Sequence, residues 1–225
     1  YLSDTRNVSL LVIDADPQQT FASRRKDDSR RQKDIPYNVQ SVTIKDPSST
    51  RNIMLTLRGL AGTTIIDTPG SLTQEGMKEL LANADYIVCP YHYDLNTIDS
   101  TRAFILAVLR LKQAYPQIKA QFIFVCNKYD VRVGKGSELQ AWKIVDEFFK
   151  KYGILAPRIG NYADLERYNT ISNSDKADKL TKQCFDFIFN VSSTNSEQCK
   201  LCVHSPLYII NTRLLWKQTI GGNGS

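Results

Sequence analysis

No apolar run in this sequence approaches the length needed to cross a bilayer, and no signal-peptide pattern opens it. A membrane-spanning or exported protein is therefore not expected. No internal repeat appears, which sets aside a solenoid or an array. Cysteine is sparse: two of the five, Cys89 and Cys126, sit inside the apolar runs "YIVCPY" and "FIFVCNK" and read as small buried hydrophobes. The tail holds Cys199, Cys202 and His204 in "CKLCVH", but a structural zinc site needs four ligands and no second pair exists. That spacing is read as chance, and the cysteines as those of a reducing, cytoplasmic compartment. Acid is in modest deficit. The net charge of +6 and pI near 9.0 permit salt-sensitive contact with nucleic acid without demonstrating it. The chain opens at Tyr1 rather than methionine and reads as a processed form or a fragment.

What is present fits an α/β protein. At 225 residues, with 42% hydrophobic and 23% charged residues, there is room for one domain with a sizeable core. Leu10 to Ile13 are four consecutive aliphatics, which suits a parallel strand covered on both faces. Similar runs recur in "TTIID" (63–67), "YIVCPY" (86–91), "QFIFVCN" (121–127) and, more weakly, "YGILAPRIG" (152–160). Helical patterns separate them: "TQEGMKELLANA", "STRAFILAVLRLKQAY", "SELQAWKIVDEFFKKYG" stopping at Gly153, and "SDKADKLTKQCFDFIFNV". Strands alternating with helices predict a doubly wound, mostly parallel sheet with helices on both faces. Composition shifts after Val191, so residues 192–225, ending in "GGNGS", are read as a tail or appended segment.

Polar residues fall at the carboxyl ends of these strands, where open α/β sheets place their ligand crevice. The first strand ends in Asp14 and Asp16 of "IDADPQ", the second in Asp67 of "IIDTPG", and a later one in Asn127. An apolar strand ending in aspartate is what a Walker B element requires, because its carboxylate holds magnesium beside transferring phosphates.

In "LLVIDADPQQT", "TTIIDTPGSLTQEGMKELLANADYIVCPYHYD" and "FIFVCNK" the sequence resembles the ParA/MinD-type deviant-Walker ATPases, in particular the ParA plasmid and chromosome partition proteins. The second stretch is the most specific, and the resemblance runs from about Ser9 to Asn190, within a P-loop NTPase-like domain of residues 1–191. By that resemblance Asp16 orients the attacking water, Asp14 helps organise the magnesium shell, and Asp67 is the Walker B acid. Pro90 shapes the loop after its strand, and Asn127 contacts adenine. ATP and Mg²⁺ are the implied cofactors. The implied partners are a second copy of the chain, DNA bound without sequence preference, and a protein that stimulates the ATPase. Arg24, Arg25 and Lys26, or Arg158 and Arg167, are the cations expected to meet DNA, and membrane attachment is not expected.

One departure is large. The family begins with a strand, a phosphate loop of the form K-G-G-x-G-K-[ST] and a helix, whereas this chain reaches "IDADPQ" almost at once. The expectation is a partition-type ATPase truncated before its phosphate loop and inactive in hydrolysis by itself. "VGKGS" (133–137) and the tail's "YIINT…GGNGS", which faintly resembles a first strand and loop in a permuted chain, are both read as coincidence. Two other readings stand beside this one. "DTPG" and "NKYD", sixty residues apart, fit a GTPase in which Asp130 would bind guanine, although GTPases lack the "DADPQ" strand. A non-catalytic adaptor with the same fold would also explain the missing loop.

Overall fold

Leu10–Asp14 forms the first strand, β1, of a seven-stranded sheet in this computed structural model. The structure describes residues 1–198, apart from 33, 71, 167, 168 and 173, together with 207–210. Side chains of 191–198, 207 and 209 are excepted. The remaining strands are β2 (Asn38–Ser41), β3 (Thr63–Asp67), β4 (Tyr86–Tyr91), β5 (Gln121–Cys126), β6 (Gly153–Leu155) and β7 (Leu207–Ile210). Between them run α1 (Thr20–Ser29), α2 (Pro47–Arg58), α3 (Met77–Asn83), α4 (Leu95–Ala114), α5 (Gly136–Lys150), α6 (Ala163–Glu166) and α7 (Asp175–Gln198). All the strand pairings are parallel, in the order β2-β1-β3-β7-β4-β5-β6.

Side-chain alternation divides the core. Ile13, Ile66, Ile87, Cys89, Phe122 and Phe124 face one side. They pack there with Met54 and Leu57 of α2, Leu80 and Leu81 of α3, Ile105 and Val108 of α4, and Phe149 of α5. Tyr86, Val88, Ile123 and Val125 face the other side, against Cys184 and Ile188 of α7. The helix α1 is tied to the segment entering α7, because Asp28 accepts 2.8 Å bonds from both the backbone N–H and the hydroxyl of Thr170. This partition follows from crossover handedness. The steps β1 to β2 and β6 to β7 run toward one edge of the sheet, and all others run toward the opposite edge. Right-handed connections must then place α1 and α7 opposite α2 to α5.

Local chemistry fixes the ends of these elements. Asp46 accepts from Ser49 N at 2.9 Å and Pro47 opens α2, the preferred pairing at a helix start. Asp94 caps α4 by accepting from Thr97 N at 2.9 Å, so that helix begins five residues before the apolar pattern does. "VGKGS" also serves a helix start: the backbone N–H of Lys135 donates to Glu138 at 2.8 Å in a capping arrangement.

The expected boundary after Val191 is not a structural break. Backbone of α7 runs through it to Gln198, and β7 returns residues 207–210 to the centre of the sheet. Residues 208–210 of the tail's "YIINT" belong to this interior strand, while residues 211–225, with "GGNGS", lie outside the described residues.

Gly62, in the turn before β3, has φ +104°, and a Cβ there would lie 2.5 Å from the Ser9 carbonyl oxygen. Both the backbone conformation and the contact exclude a side chain. Gly62→Ala should therefore cost on the order of 2–3 kcal/mol in urea unfolding, where an unstrained turn would change by less than about 0.5.

Candidate functional site

Parallel pairing throughout gives the sheet one carboxyl edge, and the sequence-predicted residues gather along it. Register sets Asp14 directly beside Asp67 on adjacent strands. Asp16 follows two residues later, and Asn127 follows β5 with its N–H donating to the Tyr91 carbonyl at 2.9 Å. The expectation that Asp16 and Asp67 share an edge is met. From β3 to β5 the edge spans three strand spacings, about 14 Å. Pro90 lies within β4, as the run "YIVCPY" has it, paired with Val125 one residue before the strand ends.

Asp14 is fully buried, and the fold supplies donors to its carboxylate. Ala22 N, in the first turn of α1, donates to Oδ2 at 2.8 Å, and Asp16 N approaches Oδ1 at 3.3 Å. Asp16 in turn accepts from Gln18 N at 2.7 Å through Oδ1. The paired acids thus brace the turn from strand to helix, and each Asp14 oxygen keeps a second lone pair. Gln19 in that turn (φ 47°) and Lys128 after β5 (φ 52°) adopt left-handed backbone without being glycine. Such conformations concentrate at functional edges. Hard oxygen donors of this kind suit Mg²⁺, which takes one or two carboxylates and completes its shell with water and phosphate. Among the described residues no group of three metal-ligating side chains converges, so a cage built from protein alone is not formed there.

Asn127 opens into a cavity of about 670 Å³, walled by Ile159, Asp164, Leu165, Asn169 and Ala177. Ser172, Ser174 and Thr181 also line it, so the wall is mixed, with polar groups placed among Ile159, Leu165, Ala177 and Phe185. His92 Nδ1 lies 2.9 Å from the Asn127 carbonyl oxygen, tying the loop after β4 to the cavity wall. Asp130, the guanine candidate of the GTPase reading, is turned to its own loop. It accepts from Arg132 N and Nε at 2.9 Å and from a terminal nitrogen at 2.7 Å, and those hydrogen bonds pull its pKa down to about 2.

Around α5, on the other face of the sheet, is a cluster that the sequence reading missed. The buried Asp146 carboxylate accepts from Tyr91 OH at 2.8 Å, Tyr93 OH at 2.6 Å and Arg158 at 2.5 Å. Tyr93 stacks on Trp142 with centroids 4.6 Å apart, and the Arg158 guanidinium lies 4.5 Å over the Tyr129 ring. Burial drives both the Tyr91 and Tyr93 hydroxyls well above the ordinary tyrosine range, so they stay protonated as donors. Burial likewise raises the adjoining Cys126 thiol to about 12, which makes it inert. A sequence signal was available: Trp142, Val145, Asp146 and Phe149 share one helical stripe, and an acid in an apolar stripe demands partners.

The expected cationic surface contracts. Arg24 and Lys26 are exposed, but Arg25 is only 7% exposed and stacked 4.0 Å over Tyr37, and among the described residues none of its three guanidinium nitrogens has a hydrogen-bond partner. Arg158 is committed to Asp146, and Arg167 lies outside the described residues, as do Cys199, Cys202 and His204. Cys89 and Cys126 are buried free thiols, as read. Among the described residues no helix is long and apolar enough to cross a membrane. No protein-family model matches the chain, and no curated protein matches it.

Removing the shared acceptor should unfold this corner of the edge. Asp146→Ala leaves Arg158 and two hydroxyls without their acceptor and should cost about 3–5 kcal/mol, whereas Tyr93→Phe should cost about 1. A double-mutant cycle between Asp146 and Arg158, followed by urea unfolding, should show coupling above about 1 kcal/mol; additive losses would dissolve the cluster.

Proposed function

We propose that this chain is a ParA-like partition ATPase that binds adenine nucleotide along the carboxyl edge of the sheet and acts, as a dimer, on DNA. The observation that carries this reading is the shared edge: Asp14 and Asp67 in register at one end, and Asn127 in a cavity at the other. In this reading the Asn127 side chain holds the adenine. Asp67 and Asp14 are the residues that would hold magnesium, which when bound supplies charge neutralisation to the phosphates. Asp16, held by Gln18 N, orients the attacking water by accepting its proton-bearing side. The turn of Asp130 toward Arg132 favours adenine over guanine. The 225 residues contain no loop of the form K-G-G-x-G-K-[ST], so tested by themselves they should bind nucleotide weakly and hydrolyse it negligibly. Backbone N–H donors around the phosphates supply most of the affinity and most of the rate.

Titration calorimetry with Mg²⁺ should therefore give tighter binding of ATP than of GTP. Asn127→Ala should weaken ATP about tenfold, the worth of one well-placed hydrogen bond. Asp16→Ala should leave ATP affinity within a factor of about two while removing whatever turnover exists. Equal or stronger GTP binding, or an Asn127→Ala protein that binds ATP normally, contradicts the assignment. No nucleotide binding at all leaves a non-catalytic adaptor.

The DNA half of the proposal rests on the +6 charge and the exposed cations of α1. Affinity for unrelated duplexes should be equal, ATP-dependent and steeply reduced by salt. Substituting Arg24 or Lys26 with alanine should lower the salt slope by about one each, while Arg25→Met should leave it unchanged. Binding indifferent to salt, or an Arg25 effect as large as that of Lys26, removes this surface.

A further inference from the structure

The sheet is two parallel triads, β2-β1-β3 and β4-β5-β6, joined by a single strand. Among the described residues β3 and β4 do not pair with each other; each pairs with β7. That strand is four residues long, comes after all the others in the chain, and arrives by the crossover that contains α7. The acids Asp14, Asp16 and Asp67 belong to the first triad, and Asn127 with its cavity belongs to the second. We infer that Leu207–Ile210 is a separable spacer strand, and that its insertion sets the distance between the acid cluster and the Asn127 cavity. The inference holds whether or not the edge binds nucleotide.

Geometry gives the spacer its effect. With β7 in place, β3 and β4 are two strand spacings apart, about 9.6 Å; without it their facing backbone groups must take up water or close to about 4.8 Å by pairing directly. The link to the acids is local as well. Thr68, immediately after Asp67, donates to the Ile210 carbonyl from its backbone N–H at 3.0 Å and from its hydroxyl at 3.3 Å. The turn that carries Asp67 is therefore fastened to the last residue of β7. Recognition in the slot is equally defined. The Tyr208 ring is buried, stacked 5.3 Å from Tyr86 and tilted against Phe189 at 5.6 Å, so the slot takes a parallel, extended segment with an aromatic side chain at its second position.

The test uses the full chain with nitroxide labels at Gln18 and Lys128, both exposed at the edge, in a background with Cys199 and Cys202 changed to serine. The parent should give one narrow interspin distance. Tyr208→Pro, which breaks the ladder of a central strand, should broaden or shift it while the far-ultraviolet circular dichroism is retained. A peptide spanning residues 204–213 should restore the narrow distribution. An unchanged distance in Tyr208→Pro, or a peptide without effect, overturns the inference. Should Tyr208→Pro unfold the chain, Tyr208→Ala followed by hydrogen exchange decides. Faster exchange confined to β7 and the facing amides of β3 and β4 supports a separable spacer. A uniform rise across all strands, or none, overturns it.

Discussion

Everything proposed for this molecule depends on backbone hydrogen bonding through the middle of one parallel sheet. A parallel ladder has no short turn to hold it together, so each strand is positioned by its neighbours and by the helix that crosses back. Here the critical neighbours are β3 and β4, which among the described residues are joined in the ladder only through Leu207–Ile210. With that strand in register, Asp67 pairs with Ile210 and the polar residues that end the strands stand in one row.

The row is chemically divided. At one end, Asp14 is a buried carboxylate kept by backbone N–H donors from the turn and from α1. Charge burial of this kind is tolerated only where donors are fixed in advance. At the other end, Asn127 sits in a cavity of mixed polar and apolar walls, and the Asp146 cluster ties the end of β4 to α5 and Arg158. Preorganised acids at one end and a roomy cavity of mixed polarity at the other form an arrangement suited to a ligand with a charged end and a flat, hydrogen-bonding end. An adenine nucleotide is such a ligand.

Much of this was legible in the sequence, for identifiable reasons. The limits of β3 and β4 coincide with "TTIID" and "YIVCPY", because unbroken apolar runs bounded by turn residues can be satisfied only in a sheet covered on both faces. The strand β2 escaped notice because it lies at the sheet's edge with little burial and so carries no pattern. The helix α2 escaped too, although Asp46 and Pro47 announced its start. Charge was the least informative signal. Arg25 lies within a basic run and looked like surface, yet the helical period turns it inward onto Tyr37. The place of β7 could not be read locally at all, since four apolar residues acquire meaning only from the gap that the other six strands leave.

The central claim is that a nucleotide lies across the carboxyl edge, from the acids to the Asn127 cavity. Hydrogen exchange with and without ATP and Mg²⁺, on the full chain, tests it most directly. The account predicts slowed exchange in two separate places at once, residues 14–22 with 67–70, and residues 127–129 with the cavity wall at Asp164, Leu165, Asn169, Ser172 and Ser174. Slowing at only one of these places, or on the outer helices α2 and α4 instead, would contradict it.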